Sequence, residues 1–209
     1  MLIVGAKGFA KELLEVIIQG NLGAKITFYD DVSEYLPKLL FGKSSILRNE
    51  DEAKFYLKRS DERFALGVGN PKMRHRLCEK FIALGGRLTT VISPFAKIGK
   101  YNNFIQEGNN ILTNVVIESN NIIGKGCLIH VGSLISHDVV IGDFCEISPH
   151  SNLLGNVVIG KLCSIGTGSI ILPKVKIGDN VTVAAGAVVT KNVMDNMTVI
   201  GVPAKPLLK

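Results

Sequence analysis

The residues able to do acid–base chemistry near neutral pH are few: four histidines, His75, His130, His137 and His150. His137 is followed directly by Asp138. An imidazole titrates close to physiological pH, and a neighbouring carboxylate can fix its tautomer and raise its basicity. Such a pair suits a general base, but taken alone it suits an exposed corner equally well. His130 and His150 are its rivals. The spacings among these three, seven and thirteen residues, do not form a metal-ligating pattern, and no metal is expected. Cys78, Cys127, Cys145 and Cys163 also lack metal-type spacing. They read as free thiols of a reducing compartment. Near the start, Gly5-Ala-Lys-Gly8 forms a tight turn before a helical stretch, where a phosphate can sit on the helix N-terminus. It falls short of a full dinucleotide fingerprint. Asp30 and Asp31 can accept hydrogen bonds from a base or ribose, or merely cap a turn.

The elements that hold these residues are set by a repeat. Stepping by six from Ile105 to Val189 gives fifteen consecutive aliphatic residues. A helix cannot explain this, because steps of six rotate around its surface. Cys127, Cys145 and Cys163 stand eighteen apart, as do Ser133, Ser151 and Ser169, and Val139, Val157 and Val175. Three hexads therefore make one coil of a three-sided prism of short parallel strands. Large aliphatics point to the axis, small residues lie two positions earlier, and Gly or Asn is expected at the corners. Over 105–189 this predicts nearly five coils, a prism roughly 24 Å tall. The stacked cysteines read as small apolar fillers of one inner column. His137 stands in a column between Ser119 and Gly155, both small enough to leave room for a ring and an incoming substrate.

The first ninety residues differ. Strands are expected at Leu2–Gly5, Ile26–Asp31, Phe64–Gly69 and Leu88–Ile92, and helices at 9–18, 51–57 and 71–84. Alternating strand and helix predict a small parallel sheet, Rossmann-like, with a ligand crevice at the carboxyl ends of its strands. The expected division is 1–90 for this α/β domain and 91–209 for the all-β prism.

Bulk composition excludes several classes. Of 209 residues, 46% are apolar, so the chain can bury a core and is not disordered. No run of eighteen apolar residues exists, and no membrane span is expected. The start lacks a basic segment ahead of its apolar one, so no secretion signal is expected either, and the location is read as cytoplasmic. The net charge of +6 is spread along the chain without basic clusters interleaved with aromatics, so nucleic-acid binding is not expected. The mild excess suits phosphorylated small molecules.

The hexad repeat and the tail Gly201-Val-Pro-Ala-Lys205-Pro206 resemble the left-handed β-helix acyltransferases. The front run Val4-Gly-Ala-Lys-Gly-Phe-Ala-Lys11, the pair Asp30-Asp31, and Gly67-Val-Gly-Asn70 with Arg74 narrow the resemblance to sugar acetyltransferases of the NeuD and PglD type. It covers essentially the whole chain. It implies a left-handed coil and a homotrimer, with acetyl-CoA as cosubstrate in a groove between neighbouring prisms. The front domain would hold a nucleotide-linked amino sugar. Ser136-His137-Asp138-Val-Val-Ile-Gly142 matches the family's base motif, which makes His137 and Asp138 the expected catalytic pair. Substrate contacts are expected from Lys7, Gly8, Phe9, Asp30, Asp31 and Gly69. Coenzyme contacts are expected from Glu146, Thr167 and Ala185, the last two within Gly166-Thr167 and Ala184-Ala185-Gly186.

Two departures stand out. Where PglD-type enzymes carry a second histidine, nine residues after the base and touching the acetyl carbonyl, this chain has Glu146. An ionised carboxylate accepts hydrogen bonds but cannot donate one. Phe9 and Lys7 replace the histidine and the small residue common in the front turn. The expected function is N-acetylation of a nucleotide-linked amino sugar. O-acetylation of a sialic acid or other sugar is the alternative, as is a sugar-nucleotide-binding protein without catalysis.

Overall fold

The computed structural model describes residues 1–21 and 25–207. The chain opens with β1 (Leu2–Val4), α1 (Gly8–Gln19) and β2 (Thr27–Tyr29). A hairpin follows, β3 (Leu39–Leu40) and β4 (Ser44–Leu47), then α2 (Glu50–Arg59), β5 (Arg63–Leu66), α3 (Pro71–Ala83) and β6 (Arg87–Leu88). The sheet runs β3-β4-β2-β1-β5-β6, parallel except for the β3–β4 pair. The three central strands are almost wholly buried. A parallel sheet covered on both faces requires this.

The helices begin differently. Asn49 caps α2 by accepting from Glu52 N at 2.9 Å, and Glu50, Asp51 and Glu52 fill the first turn. Asn70 caps α3 from Met73 N at 3.0 Å, with Pro71 at its start. Helix α1 has no side-chain cap and no acid in its first turn. Its positive N-terminal end is therefore uncompensated, and it lies beside the strand ends where a ligand would enter.

The prism follows with the predicted eighteen-residue coil. Val140 and Ile141 pair in parallel with Ile122 and Ile123 below and Val158 and Ile159 above. Its first face runs from Val91–Ile92 to Thr198–Ile200, its second from Lys97–Ile98 to Val188–Val189, and its third from Phe104–Ile105 to Lys176–Ile177. The axis is packed with aliphatics, with Cys127, Cys145 and Cys163 in an inner column as predicted.

Three expectations are corrected. The strand expected at Leu88–Ile92 is two. Thr89 N still bonds Phe64 O in the front sheet, whereas Val91 N already bonds Asn109 O in the prism. The prism is also taller. Seven parallel rungs on the first face span about 29 Å, and the final coil is two residues short, with Thr182 opposite Thr198. Corners in the left-handed backbone region are not reserved for Gly and Asn: Asp138, Phe144, His150, Leu162 and Lys174 all have positive φ. Stacking against the coil below holds them there. The Phe144 ring, for instance, lies where a side chain at Gly126 would stand.

The front domain docks on the first face. Arg74 is fully buried and donates to four backbone carbonyls. Leu66 O (3.0 Å) and Val68 O (2.8 Å) belong to the front domain, and Gly126 O (2.9 Å) and Cys127 O (3.2 Å) to the prism. Among the described residues no carboxylate bonds to it, and burial pushes the guanidinium down to about 10. Asn110 Nδ2 adds a 2.7 Å bond to Leu66 O. Apolar residues of α1 pack with Val91, Leu112 and Leu128 of the first face.

Candidate active site

A cavity of about 270 Å³ opens at the carboxyl ends of β1, β2 and β5. Gly5, Lys7, Asp30, Asp31, Val68 and Met73 are among its lining residues. Gly5 has φ +114° and its Cα faces Gly67 O so closely that a Cβ would stand 2.8 Å from that oxygen. Only glycine lets the turn close over the sheet there.

The two aspartates part company. Asp30 accepts from Val32 N (3.2 Å), Ser33 N (2.8 Å) and Ser33 Oγ (3.0 Å), so its carboxylate builds the turn. Asp31 accepts through Oδ2 from Tyr29 OH at 2.7 Å and from Lys80 Nζ at 3.1 Å. Lys80 also reaches Glu50 at 2.9 Å. Burial works against the Asp31 and Lys80 charges, but these hydrogen bonds outweigh it. Asp31 is held below, and Lys80 above, its ordinary range. Nothing in the sequence separates the two acids, and the Lys80 network spans about fifty residues.

Gly8 opens α1 and faces open space, and Phe9 packs against His130 with ring centroids 5.8 Å apart. His130 is fully committed. Its Nδ1 accepts from Val131 N at 3.0 Å, and its Nε2 lies 3.3 Å from a Glu12 carboxylate oxygen. Burial lowers its basicity. Glu146 stands on the first face, between Leu128 and Ser164. Its carboxylate lies against Gly69, 3.5 Å from where a Cβ there would be. Thr167 and Ala185 are exposed at the corner joining the first and second faces, beside Gly168 and Gly186.

His137 lies elsewhere. It stands at the corner joining the second and third faces, the edge opposite the face that carries the front domain. Its Nδ1 is 2.7 Å from Asp138 Oδ2, and both side chains are about half exposed. The imidazole overlies Gly155, where a Cβ would stand 2.6 Å from Cε1. So Nδ1 is held by the carboxylate while Nε2 has no partner among the described residues. One chain thus gathers the cavity, Glu146 and the Thr167–Ala185 corner on one side, and carries His137 on the other.

The comparisons agree with this architecture. Residues 1–81 match the PglD N-terminal domain family, and residues 156–191 match the bacterial transferase hexapeptide family. No curated protein matches the sequence. Among solved structures, a histidine-to-asparagine variant of perosamine N-acetyltransferase from Caulobacter crescentus, in complex with CoA and GDP-perosamine, superposes with a TM-score of 0.90. It is 26% identical, over 100% of this chain and 96% of that one. The acetyltransferase domain of PglB from Neisseria gonorrhoeae FA1090, in complex with acetyl coenzyme A, gives 0.88 at 28% identity over 99% and 98%. WeeI from Acinetobacter baumannii AYE gives 0.89 at 29% over 99% and 98%. A left-handed β-helix of hexads with this docked front domain defines an acetyltransferase of the hexapeptide-repeat superfamily. Its front domain narrows the likeness: residues 1–81 carry the PglD N-terminal domain, and the solved structures that the chain resembles over its whole length are sugar acetyltransferases of that superfamily.

Proposed function

We propose that the protein transfers the acetyl group of acetyl-CoA to the amine of a nucleotide-linked amino sugar, as a homotrimer in the cytoplasm. Residues 1–90 are assigned to the sugar nucleotide and 91–209 to acetyl transfer. The observation that carries this reading is the cavity at the strand ends, bordered by the uncapped N-terminus of α1 and by Lys7. Backbone N–H groups, a helix dipole and an ammonium are what a diphosphate requires. The apolar walls at Val68 and Met73 suit the face of a base, and Asp31 is pre-oriented by Tyr29 and Lys80 to accept from it or from ribose.

The Thr167–Ala185 corner fits a pantetheine arm. Side chains there are small, and a Cβ added at Gly168 or Gly186 would meet nothing within 4 Å. When bound, acetyl-CoA supplies an activated acyl group. What the protein supplies is position and a proton acceptor. Asp138 holds His137 Nδ1, so Nε2 takes the amine proton as the nitrogen attacks. Because His137 stands on the edge opposite the docked face, the histidine serving a given cavity is assigned to a neighbouring chain. This supports a trimer closed around shared grooves.

A coenzyme-A release assay with UDP-, dTDP- and GDP-linked amino sugars and free sialic acid tests the reading. Turnover is expected with one nucleotide-linked amino sugar. Turnover with sialic acid alone, or with none of the panel, sinks it.

A further inference from the structure

Glu146 is the one side chain near the cavity whose chemistry opposes the role its position implies. By the resemblance it stands where PglD-type enzymes carry a histidine that reaches the acetyl carbonyl, yet an ionised carboxylate has no proton to give. Its surroundings leave it underused. Oε1 accepts a single long bond, from Ser148 Oγ at 3.4 Å. Among the described residues no cation pairs with it; the nearby Arg74 guanidinium is spent on four carbonyls. The carboxylate faces Gly69, the residue after Val68 of the cavity wall, 3.5 Å from where a Cβ there would stand.

We infer that Glu146 is the receptor for the acceptor's ammonium group, and that it selects an amino sugar over the corresponding hydroxy sugar. This rests on the function proposed above. An alkylamine carries its proton at pH 7, and a partly buried carboxylate short of partners binds that cation through a charge-assisted hydrogen bond. A hydroxyl can donate a hydrogen bond but brings no charge, so it compensates the desolvated Glu146 less than the ammonium does. The ammonium must lose a proton before it attacks. That first proton leaves to solvent, and His137 of a neighbouring chain takes the nitrogen's second proton as the N–C bond forms and the C–S bond breaks. The departing thiolate takes up a proton, and one proton is released overall per acetamide formed. The attacking nitrogen becomes positive again as the N–C bond forms, so Glu146 holds the bound ammonium and the transition state alike, and its contribution falls on KM rather than kcat.

The test uses the full-length protein with acetyl-CoA and GDP-, dTDP- or UDP-linked 4-amino-4,6-dideoxy sugars, alongside their 4-hydroxy counterparts as competitive inhibitors. Glu146→Gln keeps shape and removes charge. KM for the amino sugar is expected to rise on the order of 10-fold or more, the scale of one lost charge-assisted bond. KM for acetyl-CoA should stay put, and the preference for amino over hydroxy sugar, read as KM against Ki, should collapse toward unity. Glu146→Asp should recover part of that preference. A rise in KM for acetyl-CoA with the sugar preference intact overturns the inference and returns Glu146 to the coenzyme side. So does a Gln variant indistinguishable from wild type. Absence of turnover and of nucleotide-sugar binding in the wild type would instead remove the function on which it stands.

Discussion

At the level of single residues, the His137–Asp138 pair gives the sharpest expectations. His137→Ala removes a ring from an exposed corner and from no core contact, so the fold and melting temperature should hold. Turnover at saturating substrate should fall by ~10²-fold or more, the usual scale of a lost general base. Asp138→Asn should lose less, since it disturbs only the orientation of the ring. Gly155→Ala probes the same ring from below. Its Cβ would stand 2.6 Å from Cε1 and must push the imidazole aside, so activity should drop with little change in stability. Steady-state rates and thermal melts on the three variants decide the matter. A near-wild-type rate for His137→Ala removes it as the base. A different residue carries a pH effect. The Arg63 guanidinium donates twice to Asp61, at 3.0 and 2.8 Å, and with the Arg63 backbone N–H (3.0 Å) holds that carboxyl well below the ordinary range. A depressed folded-state pKa adds stability above the unfolded value of about 3.9 and loses it as pH falls further. Asp61→Asn should therefore cost on the order of 1–2 kcal/mol at pH 7, allowing for solvent screening. The gap to wild type should close as denaturation is followed below about pH 4.

At the level of elements, the inward column can be tested with Ile141, which is buried on the axis between Ile123 and Ile159. Ile141→Asp puts a carboxylate there without a partner and should cost several kcal/mol, leaving insoluble or unfolded protein. Ile141→Val should cost only about 0.5–1.5 kcal/mol in urea unfolding. A soluble aspartate variant with wild-type melting would mean the column is misplaced. This column was plain in the sequence because every rung buries one aliphatic at a fixed interval. The hairpin β3–β4 was not, since Leu39 is exposed and Ser44–Leu47 is only half-buried, which leaves no alternation to read. The handover between sheet and prism was also hidden. Thr89 and Thr90 are good strand formers with no Gly or Pro between the two sheets they separate. The His137–Asp138 pair and the front turn were legible as motifs, whereas the separate duties of Asp30 and Asp31 depend on Ser33, Tyr29 and Lys80. No local pattern links those five residues.

At the level of the whole molecule, the opposed placement of the cavity and His137 makes a prediction about mixtures. A Lys7→Glu chain with a repelling cavity keeps its His137, and a His137→Ala chain keeps its cavity. Each homotrimer should be nearly inactive. Trimers reassembled from equal amounts should recover roughly a quarter of wild-type sites, since each site then draws its two parts from different chains. No recovery after exchange confirmed by light scattering, or a stable monomer with full activity, would put both parts in one chain. Arg74 bears on how such a chain is made. Its carbonyl acceptors in the prism, at Gly126 and Cys127, lie fifty-two and fifty-three residues downstream. During translation its guanidinium keeps two hydrogen-bonding arms open until the third rung of the first face emerges from the ribosome. The nascent front half is thus held as an unfinished socket, and the prism, on arrival, is the part that completes it.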